Sequence, residues 1–252
     1  MSREVLDDSA WLQVVGASLT GAAACAADHL SGRDVNPLEI DIYSDVVCPW
    51  CFIGTRRLES VLASFGDSLD VTVRHHPYLL HPDAPPEGID LRAMLARKYG
   101  MDPARMFDRV EAAARDAGIP LDFSTQTRTY STVAAHTLLR HAEEKGTQRA
   151  LADALFAAYF LEGRNIDDPG VLADVAAGYG FSEPEVRALV ADDAEAARTH
   201  QEARDASERG IRGVPLFVIN GREAISGAQP AAVFRRAIAQ VVEPAKAART
   251  AP

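Results

Sequence analysis

The chain has 252 residues, enough for one large domain or for one domain carrying an insertion. Hydrophobic residues at 47% and charged residues at 25% exclude disordered, collagenous and disulfide-scaffold chains, and there is no apolar run of about 18 residues to span a membrane. Lysine and arginine number 26 against 36 aspartates and glutamates, a net charge of -10, which disfavours nucleic acid as a partner.

Residues 1–37 read as an N-terminal extension, expected to be helical. Its opening, MSREVLDDSA, sets Glu4, Asp7 and Asp8 against Arg3, the wrong charge for the head of a secretory signal, so a cytoplasmic protein is expected. Cys25, in an Ala-rich stretch, reads as a small buried residue on a short helix. Residues 38–47, LEIDIYSDVV, begin with strand alternation and break at Ser44 and Asp45. A helix follows, with Pro49 suited to its first turn, apolar residues from Trp50 to Phe65 at helical spacing, and Gly66 as its stop. Asp70 to Pro77 is again strand-like, which makes a strand–helix–strand unit over 38–82.

From 83 to 209 the period becomes 3.6. Helices are expected over 91–99, 103–117, 132–145, 148–161, 169–178, 183–190 and 194–208, with Gly100, Gly118, Gly146, Gly163 and Gly180 at helix ends. This block is far too long for a loop. Residues 210–252 return to strand character at 216–220. Asn220-Gly221 predicts a hairpin to 223–226, and a helix is expected from Pro230 to about Val242.

Two of the three cysteines stand in Cys48-Pro49-Trp50-Cys51, after a predicted strand and at the mouth of a predicted helix. A Cys-x-x-Cys beside a βαβ pattern points to a redox pair, because backbone N–H groups and the dipole at a helix start stabilise a thiolate. Position then suggests roles. Cys48 is expected to be exposed and to attack a disulfide, and Cys51, one turn in, to resolve the mixed disulfide. Structural thiols and half a zinc site are the competing readings. Zinc lacks ligands, since there is no second Cys-x-x-Cys and no His-x-x-x-His, and no metal site is assigned.

Gly213-Val214-Pro215 heads the β-rich run that follows. A trans proline at the head of an edge strand is the ordinary reading. A cis bond would instead leave the Val214 backbone groups free to pair with an extended peptide. Asp45 and Asp41 are both candidates to take the Cys51 proton, with Asp45 favoured slightly over Asp41, and a role for Asp45 as helix cap is equally expected. His136 reads as a core or capping histidine, and His75-His76-Pro77 as edge structure. Trp50 and Phe52 line either a peptide groove or, in the case of Phe52, the core.

SDVVCPWCFIG at 44–54, the helical insertion and GVPLFVINGREAISGAQP at 213–230 together resemble the DsbA-like thioredoxin superfamily, in particular its FrnE-like cytoplasmic branch. RTYSTVAAH at 128–136 and YFLEGRNIDDP at 159–169 are similar to that branch's insertion signatures. The branch often has Pro-Asn where this chain has Tyr130-Ser131. The resemblance implies an α/β, thioredoxin-like fold with a large all-helical insertion, thiol–disulfide oxidoreductase or isomerase activity, Cys48 and Cys51 as the catalytic pair, and Pro215 as a cis-proline facing them. Pro49, Trp50, Val214 and Gly213 would line the substrate site. Periplasmic relatives have a histidine where Trp50 stands, so a weaker oxidant is expected here. Substrates would be protein or peptide disulfides. No cofactor is needed, but glutathione or a thioredoxin-type reductant must recycle the pair, and the protein would be a monomer or homodimer. The rival readings are a glutathione-dependent isomerase or transferase of kappa type, where serine usually replaces the attacking cysteine, and a peptide-binding module without catalysis.

Overall fold

The computed structural model describes residues 36–249. The expected helix of the extension and the placement of Cys25 lie outside the described residues. Asn36 and Pro37, assigned to the extension from sequence, instead open the first strand, β1 (Asn36–Ser44). Leu38, Ile40 and Ile42 point from it into the core, while Pro37 and Glu39 face solvent, the alternation that a half-covered strand requires.

β1 leads through a turn into α1 (Pro49–Phe65), which ends at Gly66 with φ 54°. The chain returns as β2 (Leu69–Pro77), parallel to β1 from Asn36↔Leu69 to Ser44↔Pro77. After the insertion come β5 (Leu216–Ile219) and β6 (Glu223–Ser226), joined through Asn220 and Gly221, both at positive φ as a tight hairpin turn demands. β5 runs antiparallel to β1, so the sheet order is β2-β1-β5-β6. The terminal helix, α9 (Ala231–Arg249), extends past Val242, where it was expected to stop. The Ala-Lys-Ala-Ala-Arg stretch after Pro244 has the propensity to continue it.

One apolar cluster joins Leu38, Ile40 and Ile42 of β1 to Leu58, Val61 and Leu62 of α1 and to Phe234 and Ile238 of α9. A second cluster belongs to the insertion, which consists of α2 (Leu91–Tyr99), α3 (Ala104–Asp116), α4 (Val133–Glu144), α5 (Gln148–Phe160), α6 (Pro169–Ala176), α7 (Glu183–Val190) and α8 (Asp193–Glu208). The starts of these helices are encoded locally. Asp90, Asp168 and Asp192 accept bonds from first-turn N–H groups, and Ser182 with Glu185 forms a capping box. A two-residue ladder, β3 (Ile89–Asp90) with β4 (Arg128–Thr129), ties the ends of the α2–α3 segment together. Sequence reasoning missed it because two residues carry no periodicity.

β2 is a sheet edge, as the His75-His76-Pro77 reading expects, but the insertion buries part of it. The Gln148 side chain of α5 accepts from the His75 N–H at 2.8 Å and donates to the His75 C=O at 3.1 Å. A carboxamide thereby takes the place of a neighbouring strand. The His75 imidazole is buried, with neither ring nitrogen hydrogen-bonded among the described residues. Burial, followed by the charges of His136, His76 and Arg149, lowers its pKa to about 3.

This depressed value makes stability depend on pH. The unfolded chain takes up a His75 proton below about 6.5 and the folded chain does not until about 3. Stability is therefore complete above 6.5 and falls as the pH drops towards 3, by on the order of 2 kcal/mol at pH 5. His75→Leu is expected to remove that slope. Urea unfolding of both proteins at pH 7 and pH 5 checks it, and an equal loss in both would count against the assignment.

Candidate active site

The turn Asp45–Cys48 is closed by the Cys48 N–H donating to the Asp45 C=O at 2.9 Å, which sets Cys48 as the N-cap residue of α1 with extended backbone. No side chain caps this helix and no acidic residue occupies its first turn. The positive end of a 17-residue helix therefore faces Cys48 without competition from a carboxylate in that turn. Pro49 takes the first helical position, where a missing N–H costs nothing.

Cys51 is 0% exposed, and its thiol lies within hydrogen-bonding distance of the Cys48 sulfur. Burial above all, then the bond to Cys48 and its charge, push the Cys51 thiol well above the usual range. A backbone bond from Asp45 works the other way. Cys48 is 6% exposed. It is therefore not the open thiol expected from its position: it belongs to the insertion's apolar cluster with Val46 and Val47, and Val214 packs against that cluster. The two residues still differ in access, Cys51 having no exposed surface and Cys48 a little.

The residues expected to line a substrate site are placed as follows. Pro49 and Trp50 are half-buried, and the Arg109 guanidinium lies 5.8 Å from the centre of the Trp50 ring. Phe52 is fully buried and stacks on Phe156 and Phe160 of α5, so it is core and not groove. The Val214-Pro215 bond is cis, against the ordinary trans reading of that dipeptide and in line with the family resemblance. Pro215 reaches α1 at Gly54, where an added Cβ would stand 3.3 Å from the Pro215 Cγ and 2.9 Å from the Phe217 Cζ. Gly54 thus lets α1 lie directly on the Pro215 loop, a contact any larger residue would spread. Gly213 is exposed and Val214 half-buried.

The two candidate proton acceptors differ in their surroundings. Asp41 pairs with His76 at 2.7 Å and with Arg74 at 4.0 Å on the strand surface. Asp45 is 0% exposed, its carboxylate accepting from the Leu80 N–H at 2.7 Å and the Val47 N–H at 3.3 Å, and its charge acts on Cys51. It is thus the buried carboxylate whose charge reaches the Cys51 sulfur, and not the cap of α1. His136, in the first turns of α4, is equally buried. Its Nε2 lies 3.8 Å from the Asp45 Oδ1 with no hydrogen-bond partner among the described residues. It is not the satisfied core histidine expected, nor a cap, since Thr132 holds that position.

A model of the DSBA-like thioredoxin domain matches residues 39–239. The chain belongs to the DSBA-like thioredoxin domain family. A probable DsbA oxidoreductase from Streptomyces coelicolor, known from a crystal structure, is 36% identical, with a TM-score of 0.72 over 81% of this chain and 89% of that one. The uncharacterized protein YwbO of Bacillus subtilis strain 168 is 26% identical over 210 residues, 80% of this chain and 96% of YwbO. The cytosolic disulfide reductase DsbM from Pseudomonas aeruginosa, solved with GSH, has the same fold at 18% identity and a TM-score of 0.59, over 81% of this chain and 99% of DsbM.

Within this DSBA-like frame, sequence reasoning missed the contacts that connect distant segments: Leu80 on Asp45, Gln148 on His75, and His136 beside Asp45. The available signal was polarity in the wrong place, an aspartate in the apolar run 44–53 and two histidines at a strand end. No group of three or more His, Cys, Asp or Glu among the described residues is arranged to hold a metal, and no helix among them is long and apolar enough to cross a membrane.

The complete burial of Cys51 and its raised thiol pKa predict selective chemistry. Brief treatment of the reduced protein with iodoacetamide at pH 8 is expected to alkylate Cys48 and spare Cys51, read by peptide mapping. Modification of Cys51 ahead of Cys48 would contradict the geometry.

Proposed function

We propose that this chain is a thiol–disulfide oxidoreductase or isomerase acting on protein or peptide disulfides, with Cys48 as the attacking sulfur and Cys51 as the resolving one. The observation that carries this reading is the contact between the two thiols at the mouth of α1, one retaining surface and the other sealed behind it. Structural thiols have no need of the uncapped helix start, and a kappa-type transferase would not need the second sulfur.

The Cys48 thiolate attacks one sulfur of the substrate. A Cys48–substrate disulfide forms and the other substrate sulfur leaves as a thiolate. Cys51 then loses its proton to a base and attacks Cys48, so that the Cys48–Cys51 bond replaces the mixed disulfide and the second substrate thiolate departs. Two electrons pass from enzyme to substrate. The reverse sequence oxidises a dithiol, and attack by a different substrate thiol on the mixed disulfide isomerises it. Asp45 is the base, because it is the buried carboxylate whose charge acts on Cys51.

Pro215 and Val214 border the pair, and the Val214 backbone gives an extended substrate segment an edge to pair with, in the manner of strand addition. Pro49, Trp50 and Gly213 complete that rim. Glutathione or a thioredoxin-type reductant returns the pair to the dithiol, a reading supported by the fold shared with DsbM. A buried, weakly acidic Cys51 and a tryptophan in place of an imidazolium beside Cys48 suit a reducing compartment, the cytoplasm.

Insulin reduction and recovery of scrambled ribonuclease, with wild type, Cys48→Ser and Cys51→Ser, test the assignment. Cys48→Ser is expected to be inactive, and Cys51→Ser to lose at least about 90% of reductase turnover while accumulating a covalent substrate adduct at Cys48. Equal activity in all three proteins would exclude the mechanism.

A further inference from the structure

The resolving step leaves a proton in a place that water does not reach, because Cys51 and Asp45 are both fully buried. Both Asp45 carboxylate oxygens are already engaged by backbone N–H groups. With solvent excluded, an onward acceptor has to lie inside the same pocket. His136 Nε2 is 3.8 Å from the Asp45 Oδ1, its side chain is 1% exposed, and this nitrogen has no partner among the described residues. Buried histidines held only for packing normally have their nitrogens bonded. A closure of about 1 Å brings the pair to hydrogen-bond distance.

We propose that His136 is a positioning residue that takes the Cys51 proton onward from Asp45, so that Cys51, Asp45 and His136 form a buried relay. The proposal rests on the dithiol reading and adds to it. As the Cys51 sulfur attacks Cys48, its S–H proton goes to the Asp45 carboxylate, and its electron pair forms the Cys48–Cys51 bond. The Cys48–substrate bond breaks with its electron pair on the departing thiolate, which takes a proton from solvent. The proton on Asp45 passes to the His136 Nε2, leaving an imidazolium beside a carboxylate, and returns when a thiol reductant reopens the Cys48–Cys51 bond.

The groups that face this pair come from five segments, one of them the loop after β2, where His81 feels the charge of Asp45. Asp45 lies in the turn after β1 and Cys51 on α1. His75 on β2 feels the charge of His136, as well as those of His76 and of Arg149 of α5. Tyr159 of α5 feels the charges of Asp45 and Cys48. A neutral His75 next to His136 adds no competing positive charge, so the imidazolium has the Asp45 carboxylate as its counter-ion.

The test is single-turnover release of thionitrobenzoate from stoichiometric dithiobis(nitrobenzoate) by the reduced full chain carrying Cys25→Ser. The first equivalent reports attack by Cys48 and the second reports resolution by Cys51. His136→Gln is expected to leave the first phase within about twofold, to slow the second by at least about tenfold, and to remove one ionisation from its pH profile. Equal slowing of both phases, or an unchanged second phase, would overturn the relay. Should His136→Gln fail to fold, the ring protons of His136 in the wild type serve instead. Their NMR titration is expected to shift between the dithiol and disulfide states, and identical titrations contradict the proposal. Release of one equivalent by the wild type sinks the redox reading itself, whereas two equivalents with an unaffected His136→Gln sink the relay alone.

Discussion

A thiol with no exposed surface, held against a second thiol at the open end of a helix, is the constraint on which the rest of this structure depends. In the proposed mechanism Cys51 has to be buried to wait unreacted, and has to lie against Cys48 to displace what Cys48 captures. Both demands are met by one turn of α1, because residues three apart in a helix lie on the same face. The sheet places that turn. β1 ends at Ser44, the Asp45–Cys48 hydrogen bond closes the corner, and Gly54 lets the helix settle on the Pro215 loop. The insertion supplies the cover, with Phe156 and Phe160 stacked on Phe52 one residue beyond Cys51.

The same cover creates an electrostatic problem, and the arrangement of polar groups reads as its solution. Ordinary cores exclude aspartate and histidine or bond them fully. Here Asp45, His75 and His136 are all buried, Asp45 bonded only to backbone and acting on Cys51, and the imidazoles partly unpartnered. Groups so placed cost stability, as the low pKa of His75 illustrates. In the proposed relay such a cost serves proton traffic, and fold and chemistry are then joined at α4 and β2 as well as at the cysteine helix.

Much of the fold was legible in the chain. The strand–helix–strand start, the glycines at positive φ that close five insertion helices, and the Asn220-Gly221 hairpin are local signals, each decided by a few neighbouring residues. The cysteine pair was legible for the same reason, since its meaning comes from four residues and the elements on either side. What escaped was long-range. Asp45 reads equally as a cap until the Leu80 N–H, 35 residues away, is found on its carboxylate. His136 reads as an ordinary core residue until Asp45 is found beside it across the insertion. The near-complete burial of Cys48 was likewise invisible, because the side chains that cover it arrive from a helical block whose docking no local period encodes.

In the proposed mechanism Cys48 and Cys51 exchange two electrons as one unit, with a buried, weakly acidic Cys51 and no imidazole between the sulfurs keeping the pair on the reducing side. Equilibration of the full chain against glutathione buffers, with the disulfide read by mass, tests it most directly. The account predicts a single two-electron transition that vanishes when either cysteine is changed to serine, with a midpoint below about -200 mV. A pair that never closes, or one with a midpoint near about -120 mV, as in a strongly oxidising enzyme, would contradict it.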